Sequence, residues 1–249
     1  MTATAHRRRP GLGSATRRVT QIIFTAALVH PAPAFAGQVG LVVSAYTDQR
    51  FRGYSLSDGR PVGIIDVSYD ATNGIYAAAS GLVVAARDVG LKGLGLTLNG
   101  GYAKAIRPGL SLDIGALHSV YSRHSGLVGG RSYTEAYVGV SSKYVGARLS
   151  VSPNYIGPGS WTAHGEVNGH VGLTHTLLLD GSLGILTPIG SRGYQNGSHP
   201  QWDARIGLSQ RLGPITLHAA VTGHGQSSQH YVYRDRDRVA VVLGISSTL

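Results

Sequence analysis

Eleven charged side chains hold the chemistry most legible in this sequence: Arg50, Arg52, Asp66, Asp113, Glu135, Arg148, Glu166, Asp180, Asp203, Arg205 and Arg238. Asp66, Asp113, Glu135, Arg148, Glu166, Asp180, Asp203 and Arg205 fall on the second face of segments whose first face is apolar. Rings of charged side chains facing a pore set ion selectivity, whereas in a narrow pore opposed acids and bases can pair across it and plug it. Six acids set against Arg148, Arg205, Arg211 and Arg238 predict a mixed network, from which no ion preference follows. Arg50-Phe51-Arg52-Gly53 follows the first alternating segment and has two readings. It is a cationic constriction folded into a lumen, able to attract anions by bidentate pairing, or a latch onto lumen acids such as Asp66, with Gly53 turning the chain.

Other chemistries find less support. Nine histidines follow residue 36, but His164 and His170 lie six residues apart on one strand face, about 20 Å at strand rise, too far to share a metal. His118, His124, His218, His224 and His230 lack ligand spacing as well. There is no cysteine, which removes thiolate sites and disulfides, and no G-x-S-x-G, Walker loop, dinucleotide fingerprint or H-E-x-x-H. An enzyme built on a barrel is the rival class, with His224 near Ser227 and Ser228 as its best Ser/His grouping. No cofactor or metal is implied.

The elements that must position these side chains begin after a leader. Arg7, Arg8, Arg9, Arg17 and Arg18 form a positive region, Ile22 to Val29 a short apolar run, and Ala34-Phe35-Ala36 a cleavage site before Gly37. Residues 1–36 therefore read as a cleaved secretory signal. The 249-residue chain carries a formal net charge of +10, but five arginines belong to that leader, leaving 17 basic against 12 acidic residues. The remaining basic residues are dispersed, so nucleic-acid binding loses its electrostatic basis. With 42% hydrophobic and 14% charged residues the chain is expected to be ordered, and 36 glycines argue against a mainly helical fold.

Beyond Gly37 the pattern is period two. Val39, Leu41, Val43 and Ala45 alternate with Gln38, Gly40, Val42 and Ser44; Leu94, Leu96 and Leu98 oppose Gly95, Thr97 and Asn99; the rhythm continues to Val239, Val241, Leu243 and Ile245. About twelve such segments, each with its connector spanning about 18 residues, suit membrane-crossing strands. Connectors alternate in length. Residues 71–74, 107–109, 142–143, 175 and 213–214 are short turns, while 48–60, 87–92, 122–130, 156–160, 188–200 and 225–235 are longer. A soluble sandwich would also alternate, but the leader, the even strand count and the asymmetric rims favour an outer-membrane barrel, which satisfies every backbone group without an open edge. Trp161, Trp202, Tyr102, Tyr133 and Tyr155 fall near strand ends and are expected to form an interfacial girdle.

Residues 50–61, Arg-Phe-Arg-Gly-Tyr-Ser-Leu-Ser-Asp-Gly-Arg-Pro, resemble the proteobacterial TorF-type porin family. The likeness continues at Asp66-Val67-Ser68-Tyr69-Asp70, Gly74-Ile75-Tyr76-Ala77, Tyr133-Thr134-Glu135-Ala136-Tyr137-Val138-Gly139, Ser152-Pro153-Asn154-Tyr155 and Asp180-Gly181-Ser182-Leu183-Gly184. The first motif is the more specific. The resemblance implies an outer-membrane barrel of poorly defined role. Ile75 replaces a usual aromatic, and Leu249 ends the chain where many barrels have an aromatic, with Ser247 at an expected hydrophobic position.

The sequence thus predicts an all-β fold: a closed antiparallel transmembrane β-barrel of twelve strands over residues 37–249, with ten or fourteen as alternatives. The expected function is passive diffusion of small hydrophilic solutes or ions through a polar lumen. The alternatives are a closed structural or surface-interaction barrel with partner-binding loops and, less favoured, a barrel enzyme. The expected partners are outer-membrane lipid, the barrel-assembly machinery and small solutes, without nucleic acid.

Overall fold

The computed structural model describes residues 37–86, 90–127, 130–156, 161–189, 200–225 and 238–249; the leader and most of the basic cluster at 234–238 lie outside the described residues. Period-two alternation becomes strand throughout. The elements are β1 (Gln38–Tyr46), β2 (Arg50–Phe51), β3 (Tyr54–Ser55), β4 (Val62–Asp70), β5 (Ile75–Ala86), β6 (Gly90–Arg107), β7 (Leu110–Tyr121), β8 (Arg131–Ser142), β9 (Val145–Ser152), β10 (Thr162–Gly172), β11 (Leu177–Pro188), β12 (Gln201–Leu212), β13 (Ile215–His224) and β14 (Val239–Thr248).

β1 and β4–β14 form one closed antiparallel barrel of twelve strands, each paired with its sequence neighbour, and β1 closes it by pairing with both β4 and β14. β2 and β3 form a separate two-stranded hairpin. The seam runs over Val42–Tyr46 against Gly244–Thr248 and is extended by Leu249 N–H donating to Leu41 O and Thr47 N–H to Leu243 O, both at 2.9 Å. Closure leaves no unpaired edge, which water-free surroundings demand. The chain ends and the short turns lie on one rim, the longer links on the other.

Outward rows are apolar: Val39 and Val43 on β1, Ile65 and Val67 on β4, Val138 and Val140 on β8, Leu183 and Ile185 on β11, and Val241 and Leu243 on β14 are all exposed. Inward rows carry the polar side chains. Two aromatic belts flank the apolar band, with Trp161 and Trp202 near the long-link rim and Tyr69, Tyr102 and Tyr144 near the short-turn rim. Tyr133 and Tyr155 do not join them. Both are buried in a cluster on the inner side, because Tyr133 shares the parity of Glu135 and Tyr137 rather than of exposed Ala136 and Val138.

Leu94 also departs from its expected face. It is 0% exposed, against 46% for Leu96 and 48% for Leu98. A bulge explains this, since Leu82 pairs with Gly95 and Val83 with Gly93, leaving Leu94 as the extra residue. It packs inward with Val62, Ile64, Leu82 and Val84.

Candidate functional site in the barrel lumen

The 47–61 link folds back into the mouth. Its β2–β3 hairpin has a two-residue tip, Arg52 (φ 49°) and Gly53 (φ 79°), the pair of positive φ values that a type I′ turn requires. Asp48 organises the base by accepting Ser57 Oγ at 2.8 Å and Arg50 Nη1 at 3.1 Å, while Arg50 Nε donates to Gly53 O at 2.8 Å. Gly53 lies against Gly223 and His224 of β13, where a Cβ would approach the Gly223 carbonyl oxygen to 2.6 Å. Tyr54 stacks on His224 with centroids 3.9 Å apart, and its hydroxyl donates to Gln201 Oε1 at 3.1 Å. The hairpin tip therefore rests on β12 and β13, while Arg52 crosses the mouth to Glu135 on β8.

The apolar anchor of this crossing is a cluster of Phe51, Tyr54, Leu56, Tyr121, Leu127, Tyr133, Tyr155, Ile156 and Leu186. Gly126 N–H donates to Leu56 O at 2.6 Å and Arg60 Nη2 to His124 O at 2.7 Å, tying the link to the 122–127 segment. Burial pushes the Asp58 carboxyl upward, opposed by neighbouring Arg60.

Arg52 is latched to Glu135, Nη2 to Oε1 at 2.7 Å, with its guanidinium 4.8 Å from the ring centroids of both Phe51 and Tyr155. Burial alone would lower its pKa, but the phenol of Tyr155 and the carboxylate of Glu135 outweigh that, so the net shift is upward and the group stays charged. Its Nε and Nη1 are buried without a hydrogen-bond partner among the described residues. Asp66, the acid anticipated for this latch, instead accepts from Ser80 Oγ on the adjacent strand. Below the hairpin lies a cavity of about 80 Å³ lined by Arg50, Asp66, Ser80, Asn99, Ser119 and Arg148 among others.

The other charged candidates line the wall. One cross-strand row runs Asp113, Gly139, Arg148, Glu166, Gly184, Asp203 over β7–β12. Because Gly139 has no side chain, Arg148 reaches over it to Asp113, Nη2 to Oδ2 at 3.0 Å, lying 4.1 Å above the Tyr137 ring. Because Gly184 has none, His164 Nε2 reaches Asp203 Oδ2 at 3.3 Å; a Cβ at 184 would come within 2.7 Å of both side chains. Arg205 Nη1 donates to both carboxylate oxygens of Asp180, to Oδ1 at 2.8 Å. Among the described residues, Glu166 is met only by Asn168 Nδ2, at 3.4 Å. Arg238 is exposed just before β14, its carbonyl accepting His224 N–H at 3.0 Å.

Several lumen groups escape sequence reasoning. Tyr76 hydroxyl donates to Asp113 Oδ1 at 2.6 Å and contacts the Tyr137 hydroxyl, which donates to Asn99 Oδ1 at 2.7 Å. Each ring lies across an inward glycine of a neighbouring strand, Tyr76 over Gly101 and Tyr137 over Gly115. His218 bridges Ser209 at 2.9 Å and Ser246 at 2.8 Å. Inward parity is a readable signal for all three, but the partners of Tyr76 and Tyr137, two or three strands away, are not. Among the described residues, no three His, Asp or Glu side chains are placed to hold a metal ion.

A family model described as "Bacterial protein of unknown function (Gcw_chp)" matches residues 31–245. No curated protein matches the chain. Among solved structures, the NanC porin is similar at 14% identity and a TM-score of 0.55, covering 84% of this chain and 100% of that one. The KdgM porin follows at 9% identity and 0.50, covering 84% and 98%. An outer membrane channel from Pseudomonas putida F1 matches at 12% identity and 0.50, covering 89% and 100%. At these identities the likeness is one of fold.

Proposed function

Given that the chain belongs to the Gcw_chp family, we propose that it is an outer-membrane porin for passive diffusion of small hydrophilic solutes or ions, its mouth narrowed by the β2–β3 hairpin. The carrying observation is the inversion of faces: apolar rows point outward and charged and hydroxyl-bearing rows inward, over twelve closed strands. A solute in such a lumen exchanges part of its hydration for these side chains. The TorF-type motif at 50–61 forms the hairpin, so on this reading the motif is the constriction. Residues 1–36 act as the export signal, and the barrel-assembly machinery inserts the strands into outer-membrane lipid. The packed hairpin also favours a second reading, a closed barrel whose long links bind a partner.

Single-channel conductance of residues 37–249 in a planar bilayer tests the two. We expect small ohmic steps from the intact protein and larger steps when residues 49–57 are replaced by a Gly-Ser linker. Silence from both forms, each migrating as a folded heat-modifiable barrel, would favour the closed barrel.

A further inference from the structure

The mid-lumen row decides which charge a permeating solute meets. Arg148 and Glu166 are direct cross-strand partners, yet Arg148 turns away over Gly139 to Asp113. Across Gly184, on the other side of Glu166, Asp203 is already taken by His164. Two side-chain-free positions thus draw the neighbouring polar side chains into contacts that exclude Glu166, leaving it half-buried with one long amide contact. Arg52 and Arg205 are likewise bound, to Glu135 and Asp180. Among the described residues Asp66 and Asp70 also form no ion pair, and both follow the inward parity of β4. The other basic side chains of β6, β8 and β12 stand near the rims: Lys92 and Arg131 near the long links, Lys104, Arg107 and Arg211 near the short turns.

We infer that the residual field of the lumen is negative, that Glu166 is its chief specificity-determining side chain, and that the favoured solutes are small cations, inorganic or of ammonium type. This rests on the porin reading and gives it a substrate class. Pairing cancels the arginines locally, because a bonded guanidinium and carboxylate act on a distant ion as a dipole. A lone carboxylate facing a water-filled lumen acts as a full charge.

Reversal potentials across a potassium chloride gradient test this, measured on the intact protein and on the form with residues 49–57 replaced, so that hairpin closure does not mask the lumen. The expected result is a potassium over chloride permeability ratio above one that falls about fourfold in Glu166→Gln, because one unit charge about 10 Å away in water favours a cation about twofold and disfavours an anion about twofold. Glu166→Lys is expected to move the ratio below one. Conduction with an anion preference, or a ratio unchanged in Glu166→Gln, overturns the inference while leaving the porin standing. Absence of conductance from both folded forms overturns the porin reading and the inference together.

Discussion

At the scale of single residues, the Arg52–Glu135 pair is the most consequential contact. Both side chains are buried, so removing one partner strands the other's charge where water does not reach it. Glu135→Ala is therefore expected to weaken hairpin docking by about 3 kcal/mol, while the twelve-stranded wall persists. Limited proteolysis within residues 49–57 should accelerate without loss of heat-modifiable migration. If cleavage stays slow, stacking of Tyr54 on His224 holds the hairpin by itself. The double variant Arg52→Met with Glu135→Leu should restore much of the protection, since an apolar pair leaves no buried charge. A latch at Arg52 is legible from composition and position, but its partner is not. Glu135 lies 83 residues away on β8, and nothing local distinguishes it from Asp66.

At the scale of elements, glycines determine where side chains can cross strands. Gly53 needs a left-handed backbone and has the Gly223 carbonyl where a side chain would sit, so Gly53→Val should lift the tip off β13. The expected signature is faster cleavage of the hairpin with an unchanged barrel melting temperature. Gly101→Val acts on the wall instead. Its Cβ would come within 2.5 Å of the Tyr76 hydroxyl oxygen that bonds Asp113, so overpacking of about 1–3 kcal/mol should lower the melting temperature. Equal melting for the two variants would contradict this division of labour. Strand existence and alternation read directly from the sequence because the period is local. The bulge at Leu94 and the burial of Tyr155 do not, since they depend on what the opposite strand and the mouth offer, whereas the inward face of Tyr133 follows from its parity with Glu135.

At the scale of the whole molecule, the barrel keeps its backbone paired around a ring closed by β1 and β14, an end-to-end pairing separated by nearly the full chain. Ring closure of that span is entropically costly and must come late in folding. Ser247 stands in the outward row, paired with Val43 and Ile215, its hydroxyl donating to Pro214 O at 3.2 Å, so the last strand carries a polar group where an apolar one would bury area. Ser247→Val should speed heat-modifiable barrel formation in refolding assays, and an unchanged rate would place the slow step before seam closure.

β1 takes part in both devices. It supplies one side of the seam through Tyr46, and two residues later Asp48 anchors the hairpin across the mouth. The strand thus works as a lever with its fulcrum at the rim. Tension on the hairpin tip is delivered to the seam before any other joint, so a molecule pulled by that tip should unzip at β1 and β14 first.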